Sequence, residues 1–352
     1  VDDVRVVACA AAAEPRPLRL PLISKGGSIQ ALQVAGATPL VDAGLPERPA
    51  GLSSLVAPLR AAQQVRLDAL AVDTLHRRVL SASGAQVLAR DAVTGAELWS
   101  RYLTGNVARL VVRDATGETL ALLPGQGELQ LLSAAGEVQA IVGHLGRPTN
   151  AVEGDGWIYV ADSGANRVLQ LDAQTWAVRR AAQFEEAPYA LAYDARTGRL
   201  YVGLMGSGQV LALAGDDLAT LAGVRLRGLG LPQDLAVDTV AGRVYVAHAL
   251  TPKYGALTVL DAATLAVVAE RTGTADVSLL GSDAVRVDAA RNALYLAQSA
   301  GCLVLDPDTL TFRETITLQD RLVSGLALDA LDGTLFLGGA AGELWTWRAG
   351  TP

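Results

Sequence analysis

From Asp73 onward the chain returns to one short pattern every 39 to 50 residues, and no other feature restricts its possible folds as much. An acidic residue closes a short apolar run seven times, at Asp73, Asp114, Glu153, Asp194, Asp238, Asp288 and Asp329. Seven residues after the anchor an aromatic stands in the next run, at Tyr201, Tyr245, Tyr295 and Phe336. Tyr159 follows Glu153 by six residues, and Leu80 and Ala121 fill the place in the first two units. A third apolar run ending in a turn residue comes next, as in VLARD, VLQLD and LTVLD. The stretch 148–172, PTNAVEGDGWIYVADSGANRVLQLD, displays the unit most plainly. Strands are predicted over 150–153, 157–161 and 168–171, separated by turns rich in Gly, Asp and Asn.

A unit of this size cannot bury both faces of its own sheet, so neighbouring units must stack face to face. Arranged around an axis, such sheets expose only short edges. The pattern therefore predicts an all-β, seven-bladed β-propeller of four-stranded antiparallel blades over residues 67–352. The last unit supplies strands over 326–329, 334–338 and 343–348 and then ends, one strand short. Residues 1–66 do not join the repeat and are expected to lend the missing strand, closing the ring. Residues 28–34 are the first choice and 54–59 the rival. An eighth, irregular blade built from residues 1–60 is the alternative.

GRVYVAHA followed by ALTVLDAATLAVVAERTG resembles the bacterial YVTN-type propeller repeat, and PTNAVEGDGWIYVADSGANRVLQLD is similar to the NHL-type repeat. The likeness covers roughly residues 67 to 350 and is degenerate in the first two units. It implies a propeller, an extracytoplasmic setting and a role in binding or scaffolding, while the fold itself carries many activities. DAVTGAELWSR looks like the quinone-enzyme repeat in which a Trp docks each blade to the next. Only Trp99 fits; Val138, Val178 and Val267 stand where other units would need it, so Trp99 is read as interblade packing.

The longest apolar run near the N-terminus, residues 6–13, is far shorter than the roughly 20 residues a membrane helix needs. A net charge of −7 without a Lys/Arg cluster excludes a nucleic-acid footprint. The chain begins at Val1 with no initiator Met, from which a cleaved secretory signal is expected. A protein exported in this way can form disulfides, and Cys9 and Cys302 are the only cysteines. A bond between them would clamp the N-terminal segment to the sixth unit; otherwise both are small buried apolar groups.

In a propeller the loop entering each inner strand lies on the same face as the loop from second to third strand. The residues just before the inner strands, Asp68, Arg109, Asn150, Tyr189, Asp234 and Asp283, should converge on the mouth of the central channel. The long loop 248–255 of the fifth unit adds His248, Lys253 and Tyr254 to that face, and the link 272–283 adds Ser, Gly, Thr and Asp. Carboxylates with an Asn suit a hard cation, so Asp68, Asn150, Asp234 and Asp283 are the ligand set if the channel holds Ca²⁺. His76 and His144 lie apart from that set, and no nucleophile elbow or phosphate-binding loop occurs. The recurring Asp-x-x-Thr turns at Asp91, Asp172, Asp261 and Asp306 are read as hairpin locks.

The expected function is that of a non-enzymatic binding or scaffold propeller without a cofactor, contacting a protein partner or ligand through its loop face. It would belong to a cell-envelope or extracellular assembly, would bind no nucleic acid and would have no membrane span. The alternative is a Ca²⁺-dependent hydrolase of the lactonase type, which the gluconolactonase-like propellers suggest by geometry alone.

Overall fold

The computed structural model describes residues 6–8, 52–56, 67, 69–226, 231–249, 255–274, 279, 284–298, 301–318, 323–339 and 342–348. Its strands form seven antiparallel sheets, and sequence neighbours are hydrogen-bonded neighbours within each. The only helical element among the described residues is one 3₁₀ turn, Ser163–Ala165. Blades 1 to 6 begin with the inner strands Ala69–Asp73, Arg109–Val112, Pro148–Gly154, Pro188–Asp194, Leu231–Asp238 and Val285–Asp288. Blade 7 contains Val323–Asp329, Thr334–Gly339 and Leu344–Trp347.

The ring is closed by Leu52–Val56, which pairs antiparallel with Leu344–Trp347 as the fourth strand of blade 7. This corrects the first choice for closure: residues 28–34 lie outside the described residues, and the closing strand overlaps the rival, 54–59. The path explains the outcome. In the other blades the outer strand leads directly into the next inner strand, and Leu52–Val56 stands in the same relation to Ala69–Asp73. An eighth blade is not formed among the described residues, because both N-terminal strands join other sheets. Val6–Ala8 adds a fifth strand to blade 2, pairing with Val138–Val142 and covering that outer edge.

The repeated aromatics occupy one environment. Tyr159, Tyr201, Tyr245, Tyr295 and Phe336 sit in second strands and are at most 1% exposed. Each faces a short inner-strand partner or, in blade 6, an arginine: Val152, Ala192, Ala236, Arg286 and Ala327. There is no single central core. Seven apolar clusters each join one blade to the next, from the blade 1–2 cluster around Leu80 and Leu123 to the blade 7–1 cluster around Phe336 and Val79. Every sheet thus shields its neighbour, as stacking of incomplete units requires.

One end of the ring carries the turns between first and second and between third and fourth strands. In blades 1, 3, 4 and 5 a backbone bond joins these two turns, as from the Ala262 N–H to the Gly242 carbonyl at 3.0 Å. Asp91, Asp172, Asp261 and Asp306 each accept two backbone N–H groups and a Thr hydroxyl through Oδ1, at 2.7 to 3.1 Å. Next come residues with positive φ: Gly95, Trp176, Leu265 and Leu310. The last three are large apolar side chains that plug the seam with the preceding blade, where burial outweighs the cost of the left-handed backbone. Trp99 donates to the Ala134 carbonyl at 3.0 Å and packs over Gly136, so it docks blade 1 on blade 2. Tyr159 and Tyr201 likewise donate to the Gly215 and Ala262 carbonyls of the following blade, at 2.8 and 2.7 Å.

Candidate functional site

The opposite end of the ring is where the inner strands begin, and there the repeat of side chains breaks down. Two residues before each position that faces the repeated second-strand site lie Ala69, Ala108, Asn150, Ala190, Asp234, Ala284 and Gly325. Five blades place Ala or Gly at this level, as crowding near the axis favours. Blades 3 and 5 instead bring an amide and a carboxylate, both buried.

Asp234 is fully buried and accepts hydrogen bonds from three directions. Arg109 Nη2 reaches it from blade 2 at 2.9 Å, Arg286 Nη1 from blade 6 at 2.7 Å, and the Val285 N–H at 3.2 Å. Blades 2 and 5 stand on opposite sides of a seven-membered ring, so the Arg109 side chain crosses the channel. Burial alone pushes the Asp234 carboxyl up, but the charges of Arg109 and Arg286 outweigh it and hold the group below its ordinary range. Both guanidinium groups keep partial access to solvent.

These arginines line two adjoining cavities. The outer one, about 280 Å³, is walled by all seven blades and includes Arg109, Arg147, Thr149, Tyr189, Gln233 and Arg286. Gln233 donates to Tyr189 Oη at 3.4 Å, and Ser163 of blade 3 donates to the Pro188 carbonyl of blade 4. The inner cavity, about 350 Å³, is the channel itself. Its wall is aliphatic, from residues such as Leu70, Val72, Leu110 and Leu235, interrupted by Arg109, Arg286 and Asn150. Neither Asn150 Nδ2 nor Oδ1 has a hydrogen-bond partner, although the residue is only 1% exposed.

Of the residues expected at the mouth, Arg109 and Tyr189 line the outer cavity and Asn150 the inner one, and Asp234 is bonded to Arg109. Asp68, Asp283, Lys253 and Tyr254 lie outside the described residues. His248 is not the start of a loop. The second strand of blade 5 runs on through Arg243–Ala249, His248 pairs with Pro232 and Ala256, and the buried ring bonds Thr258 Oγ1 through Nε2 at 2.9 Å. His76 sits at the turn end, with Nδ1 2.9 Å from Asp73. Cys302 is a free thiol inside the blade 6–7 seam, and burial pushes its pKa up. Of the two readings left open for the cysteines, Cys302 fits that of a small buried apolar group; Cys9 lies outside the described residues.

Two residues escaped the sequence reading. Arg286 occupies the inner-strand level where other blades place Ala71, Leu110, Val152, Ala192, Ala236 and Ala327. A charged residue in the otherwise apolar run AVRVD was the available signal. Arg147 lies in a link with no repeat position to mark it.

Of the calcium ligand set, Asn150 and Asp234 are among the described residues. Of its described members, Asp234 has both oxygens engaged by arginines and a backbone amide, and two guanidinium groups beside it repel a cation. Among the described residues no group of three His, Cys, Asp or Glu side chains could hold a metal ion. No helix among them is long and apolar enough to cross a membrane. The fold defines the chain as a seven-bladed β-propeller. No protein-family model matches its sequence, and no curated protein matches it either.

Proposed function

We propose that this chain is a non-enzymatic binding propeller of the YVTN/NHL-repeat type, acting outside the cytoplasm within a larger envelope or extracellular assembly. Its ligand or partner is met by the channel-mouth face. The repeat type and setting rest on the motifs GRVYVAHA and IYVADSGANRV. The binding role rests on one observation: Asp234, the described carboxylate at the mouth, is locked by Arg109 and Arg286. A general base or metal ligand needs a free lone pair aimed at substrate, and Asp234 has given its oxygens to the protein. What the mouth offers outward is a set of donors.

Purified full-length protein assayed with calcium against a panel of aliphatic and aromatic lactones should show hydrolysis no faster than buffer. Turnover that requires calcium and disappears in Asp234→Asn would overturn the reading in favour of a hydrolase.

A further inference from the structure

We infer that the channel mouth is a binding site for a small oxyanion, a carboxylate or a phosphate, held by Arg109, Arg286 and Arg147. This deepens the binding role proposed above and rests on it. Three observations carry the assignment.

The first is unused donor capacity. A guanidinium group carries five N–H donors in a planar fork. Arg109 gives one nitrogen to Asp234, and Arg286 gives Nη1 to Asp234 and to the Val285 carbonyl. The remaining nitrogens belong to side chains that line both cavities. Arg147 lines the outer cavity, and its side chain, unlike its backbone N–H, forms no hydrogen bond or ion pair with the described residues.

The second is charge. Arg109, Arg147 and Arg286 are the charged side chains among the described residues that line the cavities. Asp234 bonds Arg109 and Arg286, and Asp162 behind the wall accepts the Arg147 backbone N–H and pairs with Arg167. Asp234 holds Arg109 and Arg286 in place with one negative charge between two positive ones, which leaves both with attraction for an oxyanion. Aliphatic walls around the channel strengthen the attraction relative to water. The fork geometry of Arg suits two-point contact with an oxyanion.

The third is Asn150. A buried amide with no partner at either end is costly unless something fills it. It lies on the wall of the same cavity as Arg109 and Arg286. A ligand with an acidic group and a neighbouring hydroxyl would satisfy the arginines with one and the amide with the other. The cavity volumes sit at the small end of ligand pockets, which selects a small molecule.

The test is calorimetric titration of the full chain at low salt with sodium phosphate, sodium acetate, sodium glycolate and, as a cation control, tetramethylammonium chloride. At least one oxyanion should bind at a single saturable site, and the cation should not. Phosphate alone would identify a phosphate site, and acetate or glycolate alone a carboxylate site. Glycolate tighter than acetate would place the hydroxyl against Asn150. Arg147→Gln, which removes no internal bond, should weaken binding several-fold, while Arg196→Gln at the opposite end should not change it. Asp234→Asn gives the sharpest outcome. It frees both arginines from their internal competitor and should tighten oxyanion binding about tenfold, although a purely structural carboxylate would leave affinity unchanged or lower it. Absence of saturable oxyanion binding, or unchanged affinity in both Arg147→Gln and Asp234→Asn, overturns the inference. The lactone assay above is unaffected by that failure, so a propeller that binds only a protein would still be distinguished.

Discussion

The two ends of the ring are built from the same blades and obey different rules. At the turn end the same devices recur: an Asp closing the inner strand in five blades, an Asp-x-x-Thr lock in four, and a large plug or glycine with positive φ after each lock. The lock carboxylates there answer a local backbone need, and the ring donors of Trp99, Tyr159 and Tyr201 reach only the next blade. At the mouth end a backbone bulge recurs near the start of the inner strand in blades 3, 4, 5 and 7, but the polar side chains that line the mouth do not. Arg109, Asn150, Asp234 and Arg286 each occur in one blade, and the bond between Arg109 and Asp234 joins residues 125 apart in sequence. Repetition marks what every blade requires to fold, and departure from it marks what the molecule requires once.

Substitutions at the two ends should therefore fail differently. Tyr201→Ala removes a fully buried ring that spans the blade 4–5 seam and its bond to Ala262. It should cost about 3–5 kcal/mol of stability, seen as a large fall in the denaturant midpoint. Leu265→Gly sharpens the point, because glycine relieves a φ of 57° while emptying the seam. If burial governs, the variant loses about 2–4 kcal/mol despite the easier backbone. A stabilised Leu265→Gly would mean that strain, not packing, dominates the turn end.

At the mouth, Asp234→Ala leaves two partly exposed arginines without their shared partner, which should cost about 2 kcal/mol. Chemical denaturation should show that loss, smaller than for Tyr201→Ala. A loss equal to that of Tyr201→Ala would erase the distinction between the two ends.

The hydroxyls of the repeated tyrosines allow a finer comparison. Tyr201→Phe deletes a bond to a carbonyl of the next blade and should cost about 1 kcal/mol. Tyr295 Oη is buried without a protein partner, so Tyr295→Phe should be neutral or slightly stabilising. Equal costs in paired denaturation curves would show that the blades are alike at this level after all.

The fold was legible because its information is local and repeated. Tyr159, Tyr201, Tyr245, Tyr295 and Phe336 announce the second strand, and the Asp-x-x-Thr turns announce the hairpin that follows. Ring closure was half legible: the missing strand of blade 7 could be counted, but nothing local in residues 52–56 distinguishes them from 28–34. Their position before the first inner strand decides it. The mouth was legible as a place, through Arg109, Asn150, Tyr189 and Asp234, but its pairings were not. Asp234 is bonded by Arg286, hidden in an inner strand, and by Arg109 from the far side. Pairings across a ring leave no spacing in the sequence.

Acid titration addresses the smallest effect and the turn end alone. The carboxyls of Asp91, Asp172 and Asp306 are held below their ordinary range chiefly by backbone N–H groups, and that of Asp261 chiefly by the Thr264 hydroxyl. Asp306, with Arg313 also bonded to it, lies lowest, at about 2. A depressed folded pKa means that the charged form favours the folded state. Its contribution is complete above the unfolded value of about 4 and disappears as pH falls toward the folded one. Asp306→Asn keeps an acceptor oxygen and removes the charge, so it should be less stable than wild type at neutral pH. The gap should close as pH falls from about 4 to about 2. Urea curves across that range read the difference directly. A gap that stayed constant would mean that the lock works through shape alone, and that the carboxylates of the turn end contribute no more as ions than an amide would.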